Sequence, residues 1–328
     1  MSPTNFLERV RVRDAVPRLA GVVARTPLTA FESEDERVEM RLKLENLQET
    51  GAFKARGAWN QIAQLSPSER AAGVVTTSSG NHGKALAWAA ARAGVHATIV
   101  MPGDAYPNKI QACRDFGAEV VLAPSRNACD ELCAERVRAG ATLVHPYDAE
   151  RTAQGAGTVG LEIAEDWPEV DVVVTPVGGG GLVSGVALAI RQALGGRPAI
   201  VGVEPEGSAT LAAGVARGEP VQLPNTSKVQ GLCPPYSGAF NIAVAKETGL
   251  ELLALSDAEI LAAQAILVRV GGWVVEPAGA AAFAAVREQR LPARLYVGRD
   301  ARKKLRVACV VSGGNPDPAQ LAAVQRGT

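Results

Sequence analysis

Short valine-rich runs alternating with helix-patterned stretches constrain this chain more than any other feature. The runs are GVVTT (73–77), ATIVM (97–101), EVVLA (119–123), TLVHP (142–146), DVVVTPV (171–177), AIVGVEP (199–205) and RVACVV (306–311). Apolar runs of this length without polar alternation are strands covered on both faces. The stretches 83–93, 108–117, 181–194 and 257–272 instead carry apolar residues at helical spacing. Together they predict an α/β protein of two domains, each with a parallel-type twisted sheet flanked by helices. Residues 73–147 hold a self-contained β-α-β-α-β series. The expected division is therefore a small domain at 73–147 and a large one formed by 1–72 and 148–328. The Pro- and Gly-rich stretch 217–238 reads as an irregular surface excursion.

Charge removes several classes of function. Thirty-four basic and 34 acidic residues leave no net charge, so neither a nucleic acid nor an acidic membrane surface is an expected partner. The opening MSPTNFLERVRVRDAV lacks the apolar centre of a secretory signal, and no run of about 18 apolar residues offers a membrane span. The expected location is the cytoplasm. Cys129 and Cys133 sit one helical turn apart but have no third metal ligand nearby, and the three histidines lack zinc-enzyme spacing. Reduced, buried thiols are expected.

The chemistry lies where strands run into helices, because open α/β sheets bind ligands at the carboxyl ends of their strands. TTSSGNHGKA (76–85) places small polar residues before a helix, which suits an ordinary cap or an anion held on free backbone N–H groups. TPVGGGGLVSG (175–185) has four successive glycines between a buried strand and a helix. They are costly in entropy unless a phosphate or a close backbone approach needs them. The spacing matches neither the dinucleotide fingerprint nor a P-loop. In ACVVSGGNPD (308–317), Ser312 either ends a strand in a plain turn or points its hydroxyl into a site. Lys54, in TGAFKARGA (50–58), is either a solvated charge or a buried amine with a lowered pKa. A lysine nucleophile, a phosphate cradle and an anion loop together fit a cofactor bearing one aldehyde and one phosphate, namely pyridoxal 5'-phosphate.

The order of TGAFKARGA, SSGNHG, GGGGLVSG, VEPAGAAA (275–282) and VVSGGN (310–315) resembles the serine/threonine dehydratase (threonine ammonia-lyase) and serine racemase group of fold type II pyridoxal-phosphate enzymes. The resemblance covers nearly the whole chain and implies a fold like that of the tryptophan synthase β chain. It implies that Lys54 condenses with the cofactor aldehyde and later removes the substrate's Cα proton, and that Phe53 packs on the cofactor ring. Asn81 would bond the ring's phenolic oxygen. Ser78, Ser79, Asn81 and His82 would hold the substrate carboxylate, with Ser79 as the acid–base group on the opposite face. Gly178, Gly179, Gly180, Gly181 and Leu182 would hold the phosphate, Ser312 the pyridine nitrogen, and Glu276 would lie close to the ring.

The implied activity is deamination of L-threonine and L-serine to 2-oxo acids. The alternatives are serine racemisation, or dehydration of 3-hydroxyaspartate or another β-hydroxy amino acid. More remote is a non-catalytic binder on the same scaffold. A homodimer or homotetramer is implied. A divalent or monovalent cation would fall to Glu204 and Ser208, but Thr210 stands where an aspartate is usual. AQGAGT (153–158) likewise departs from the usual IAGQGT. The chain stops soon after SGGN, so no added regulatory module and no isoleucine feedback are expected.

Overall fold

A computed structural model describes residues 5–327. Its strands are β1 (Leu28–Phe31), β2 (Val38–Leu44), β3 (Val74–Thr77), β4 (Ala97–Pro102), β5 (Glu119–Ala123), β6 (Thr142–Leu143), β7 (Val172–Pro176), β8 (Ala199–Pro205), β9 (Glu251–Leu255) and β10 (Leu305–Val311). They form a six-stranded sheet, β1-β2-β10-β7-β8-β9, and a four-stranded sheet, β5-β4-β3-β6. Every pairing is parallel except β1 with β2. The α/β class with parallel sheets is thus as the sequence predicts.

All seven valine-rich runs are strands, with ends shifted by a residue or two; only the run at 142–146 shrinks markedly. Pro146 has no N–H to give to a ladder, and only Thr142 and Leu143 pair with β3. Three strands had no counterpart in the sequence reading. In β2 the core side is Val38, Met40, Leu42 and Leu44, interleaved with Glu39, Arg41 and Lys43. That charge masks a strand buried beside β10.

Apolar layers cover both faces of the larger sheet. On one, Val174, Val201, Val203, Val307 and Val311 pack against helices Asp257–Arg269 and Pro277–Arg287. On the other, Val173, Ile200, Ala308 and Val310 meet helices Glu150–Asp166 and Gly181–Leu194. Each such side chain, wholly buried, contributes roughly 1.5–3 kcal/mol. The smaller sheet packs Val74, Ala97 and Ile99 against helix Asn81–Ala93 and against Ala55, Ala58 and Ile62 of helix Lys54–Ile62.

Helix Lys54–Ile62 therefore sits between the two sheets. Its other side rests on helix Glu150–Asp166, where Gly57 faces Thr152 and Gly155 faces the Arg56 carbonyl, too close for a side chain. The stretch after Arg217 is irregular, as predicted, but it is not all surface. Val229 and Leu232 are buried in the core of the larger sheet, because the stretch is folded back over the end of β7. Among the described residues no helix is long and apolar enough to cross a membrane.

Candidate active site

Lys54 opens its helix, and its ammonium nitrogen donates to the Pro146 carbonyl at 2.6 Å. The Phe53 ring lies 5.0 Å from that nitrogen. Burial lowers the amine's pKa to about 8, against the opposing pull of the Glu276 carboxylate. The lysine is held there by its own approach segment. Phe53 N–H donates to the Ser312 carbonyl at 3.1 Å, Gly314 N–H donates to the Gly51 carbonyl at 2.7 Å, and Ala52 bridges Gly313. TGAFK and VVSGGN, far apart in sequence, thus form one floor.

Three strand ends meet around this floor. After β7, Gly180 caps helix Gly181–Leu194 with φ +96°, a conformation that suits glycine. A side chain on Gly179 would overlap the Tyr147 ring, and one on Gly181 would stand 2.9 Å from the Tyr147 backbone. Asn241 steadies the loop by donating to the Gly179 and Tyr147 carbonyls at 2.8 and 3.1 Å. Leu182 follows in the first turn, so its N–H and that of Gly181 belong to the unsatisfied donors of a helix N-terminus.

After β3, Ser78 Oγ accepts from the N–H groups of Gly80 (3.3 Å) and Gly83 (3.1 Å). It shapes the turn through its lone pairs and still has an O–H to donate. Ser79 is half-buried, and its hydroxyl has no hydrogen-bond partner among the described residues. Asn81 starts helix Asn81–Ala93 and donates to Glu276 Oε1 at 2.6 Å. His82 is buried, and its Nε2–H donates to the Val144 carbonyl at 2.9 Å. That commits Nε2–H to the protein and leaves Nδ1 buried without a partner as a bare acceptor, so the backbone N–H at the helix start is the donor His82 can offer a carboxylate.

Burial depresses the His82 pKa to about 3, with Lys54 adding repulsion. The sign follows from linkage. A base with a lowered folded pKa contributes stability that is present above its unfolded pKa of 6.5 and is lost as pH falls toward 3. Between pH 7 and 5 the loss is about 2 kcal/mol. His82→Gln, which keeps a donor for Val144, is expected to flatten this acid slope. Melting temperatures of both proteins at pH 5 and 7 check it. An equal fall in both would show that His82 is not the group titrating.

After β10, Ser312 is buried with its hydroxyl 3.4 Å from the Ala278 carbonyl. Beside it Glu276 caps helix Pro277–Arg287, its N–H donating to the Gly313 carbonyl at 3.1 Å. Burial raises the Glu276 pKa, offset in part by Lys109, Asn81 and Lys84. A side chain at Gly313 would strike the Glu276 carboxyl.

These residues fit pyridoxal phosphate. The glycine turn ends in unpaired N–H groups suited to a phosphate, Lys54 presents an amine near neutrality for an aldehyde, and one N–H of Asn81 is left over beside Glu276. Spacing alone gave no sign of Pro146, Tyr147, Asn241 or Asn315. VHPYD contributes a carbonyl to Lys54, another to His82 and a ring to the glycine loop, yet none of this has a periodic signature.

Glu204, Ser208 and Thr210 follow β8, and Ser237, whose hydroxyl is 3.4 Å from the Gly178 carbonyl, links Thr210 to the glycine turn. Glu204 accepts N–H groups from Leu211 and Ala212 at 2.7 and 2.9 Å, capping helix Thr210–Arg217, and burial raises its pKa to about 7. Thr210 Oγ1 pairs with Ser237 Oγ at 2.9 Å, and the Ser208 hydroxyl is buried without a partner. Among the described residues no three His, Cys, Asp or Glu side chains converge as metal ligands.

A family profile described as pyridoxal-phosphate dependent enzyme matches residues 19–313. The chain is 39% identical over 313 residues to an L-threonine ammonia-lyase of Thermotoga maritima, covering 93% of this chain and 75% of the relative. It is 35% identical over 310 residues to a serine racemase of Oryza sativa subsp. indica, covering 93% and 90%. Among solved structures, that of maize serine racemase superposes with a TM-score of 0.86 at 32% identity, covering 96% of each chain. Lys54, the glycine turn and the two flanking loops are thus framed by a match spanning both sheets, and the chain belongs to the pyridoxal-phosphate dependent enzyme family.

Proposed function

We propose that this chain is an ammonia-lyase that deaminates L-threonine and L-serine to 2-oxo acids by α,β-elimination. The observation that carries the reading is the enclosed Lys54 amine, brought to a pKa of about 8 between the glycine turn and the SSGNHG loop. An L-threonine ammonia-lyase and a catabolic L-threonine dehydratase are among its relatives. When bound, pyridoxal phosphate supplies an aldehyde for the substrate amine and a ring that accepts the electrons left at Cα.

The protein's own residues do the rest. Gly178, Gly179, Gly180, Gly181 and Leu182 would hold the phosphate through backbone N–H groups, Phe53 would pack on the ring, and Ser312 would serve the pyridine nitrogen. A neutral serine hydroxyl, unlike a carboxylate, does not force that nitrogen to stay protonated. Charge left at Cα would then be poorly stored, which would favour loss of the β-hydroxyl. Asn81 would orient the ring, and Ser78, Ser79, Asn81 and His82, around the start of helix Asn81–Ala93, would receive the substrate carboxylate. Lys54, about half of it neutral near pH 8, would take the Cα proton and return a proton to the departing β-hydroxyl, which leaves as water. The enamine that remains takes up water and releases ammonia.

Residues 73–147 form the substrate-carboxylate domain in this reading, and 1–72 with 148–328 the cofactor domain. The five cysteines are free thiols, which fits a reducing compartment and the proposed cytoplasmic location. The proposed assembly is a homodimer or homotetramer, as the resemblance implies. A cation at Glu204 rests on the resemblance, with Glu204 its one charged oxygen donor.

The unpartnered Ser79 hydroxyl favours one further reading, racemisation, which needs an acid–base group opposite the lysine. A serine racemase is also among the relatives. Incubation with L-serine, L-threonine and L-threo-3-hydroxyaspartate separately, following oxo acid and D-amino acid, tests both. Oxo acid from threonine and serine is expected to dominate. D-Serine forming faster than pyruvate would replace lyase by racemase, and turnover confined to hydroxyaspartate would change the substrate. Ser79→Ala is expected to remove D-amino acid formation and leave threonine deamination largely intact.

A further inference from the structure

Behind Asn81 a line of amides joins two lysines to Glu276. Lys84 Nζ donates to Asn315 Oδ1 at 3.0 Å, and Lys109 Nζ to the Asn315 carbonyl at 2.7 Å. Asn315 Nδ2 donates to the Thr50 carbonyl and to Asn81 Oδ1, both at 2.9 Å. Asn81 Nδ2 in turn donates to Glu276 Oε1 at 2.6 Å.

The direction of every bond is forced. A lysine ammonium only donates and a backbone carbonyl only accepts, so Lys84 and Thr50 fix which end of the Asn315 amide is oxygen. The Asn315 N–H then requires an acceptor on Asn81, which turns the Asn81 NH2 toward Glu276 and the site. Two glycines make room for the line. Gly51, at φ +74°, would carry a Cβ 2.7 Å from Asn315 Oδ1, and a side chain at Gly313 would strike Glu276.

We propose that Asn315, anchored by Lys84 and Thr50, is a positioning residue that sets the orientation of the Asn81 amide and so keeps one Asn81 N–H aimed at the reacting ring. Aligned dipoles between an ammonium and a carboxyl reinforce one another, so the orientation is held from both ends. The relay also ties helices Asn81–Ala93 and Pro107–Arg114, which carry Lys84 and Lys109, to the floor of the site. The consequence for catalysis rests on the functional reading above; the orientation itself does not.

Asn315→Asp is the discriminating change. It keeps an acceptor for Lys84 but offers Asn81 only an oxygen, so the Asn81 amide must turn over and set its carbonyl against Glu276. In cofactor-free protein labelled with 15N-asparagine, the Asn81 side-chain signals are assigned by their loss in Asn81→Asp. Their exchange with D2O is expected to be about tenfold or more faster in Asn315→Asp than in the unaltered chain. With pyridoxal phosphate added, the visible band is expected to shift and kcat for threonine to fall about tenfold or more at little change in KM. Lys84→Met, which removes one of two anchors, is expected to give about a threefold effect on exchange.

Unchanged Asn81 exchange and an unchanged band in Asn315→Asp would overturn the proposal. If that variant does not fold, unchanged exchange in Lys84→Met overturns it. Altered exchange in a chain that binds no pyridoxal phosphate would leave the relay standing and sink the functional reading alone.

Discussion

Replacing Lys54 with alanine is expected to abolish the visible absorbance of lysine-bound cofactor, near ~410–420 nm, and to cut threonine deamination about a thousandfold or more. Both losses are expected because, in the proposed reading, one nitrogen serves as attachment point and as base. The pKa of about 8 in the cofactor-free protein adds a quantitative arm. At pH 7.5 roughly a quarter of such amines are neutral, against about one in a thousand for an ordinary lysine. Only the neutral amine adds to an aldehyde. The rate at which cofactor-free protein captures pyridoxal phosphate is therefore expected to climb with pH and level off above about 8. Stopped-flow absorbance from pH 6.5 to 9.5 measures it. A rate still rising tenfold per unit at pH 9.5 would show an unperturbed lysine, and full turnover in Lys54→Ala would remove Lys54 from the mechanism.

The largest expected loss of stability comes two residues further along the same helix. Arg56 is 1% exposed and binds both oxygens of Glu45, at 2.8 and 2.7 Å, and both of Glu162, at 2.6 and 2.9 Å. Lys43, also buried, donates to Glu162 and to the Thr26 carbonyl, each at 2.6 Å. Two cations and two anions thus balance inside the protein. Burial pushes the Glu45 carboxyl up, but Arg56 and Thr26 outweigh it and hold the carboxyl below its ordinary value.

Arg56→Met strands one negative charge there, at a cost of about 3–5 kcal/mol, a large part of the 5–15 kcal/mol typical of a folded domain. A fall of roughly 6–20 °C in melting temperature is expected. The defect is expected to be smaller at pH 5 than at pH 8, because a protonated Glu45 carries no charge to strand. Adding Glu45→Gln to Arg56→Met is expected to recover part of the loss. A variant within 2 °C of the unaltered chain would mean that the quartet contributes little.

Much of this was legible in the order of residues. The uninterrupted valines of β7, β8 and β10 need two covering layers, and only an α/β arrangement provides them. Four glycines between a buried strand and a helix, and a lysine among small residues, suggest a phosphate and an aldehyde on their own. These are local properties, set by backbone freedom and by what each side chain does in apolar surroundings, so neighbours in sequence suffice to read them.

What the tertiary structure alone decided concerns pairs distant in the chain. By its spacing Lys54 reads more readily as a solvated charge than as a buried amine, until Pro146, Glu276 and Ser312 are seen around it. Lys43, Glu45 and Arg56 look like surface charge until Glu162, over a hundred residues away, arrives to neutralise them. Which nitrogen of His82 carries the proton is open until Val144 is found accepting from Nε2. In each case the deciding quantity is how much water a group has lost and what replaces it. Burial and long-range partners set that quantity, and neither is written in any one stretch of sequence.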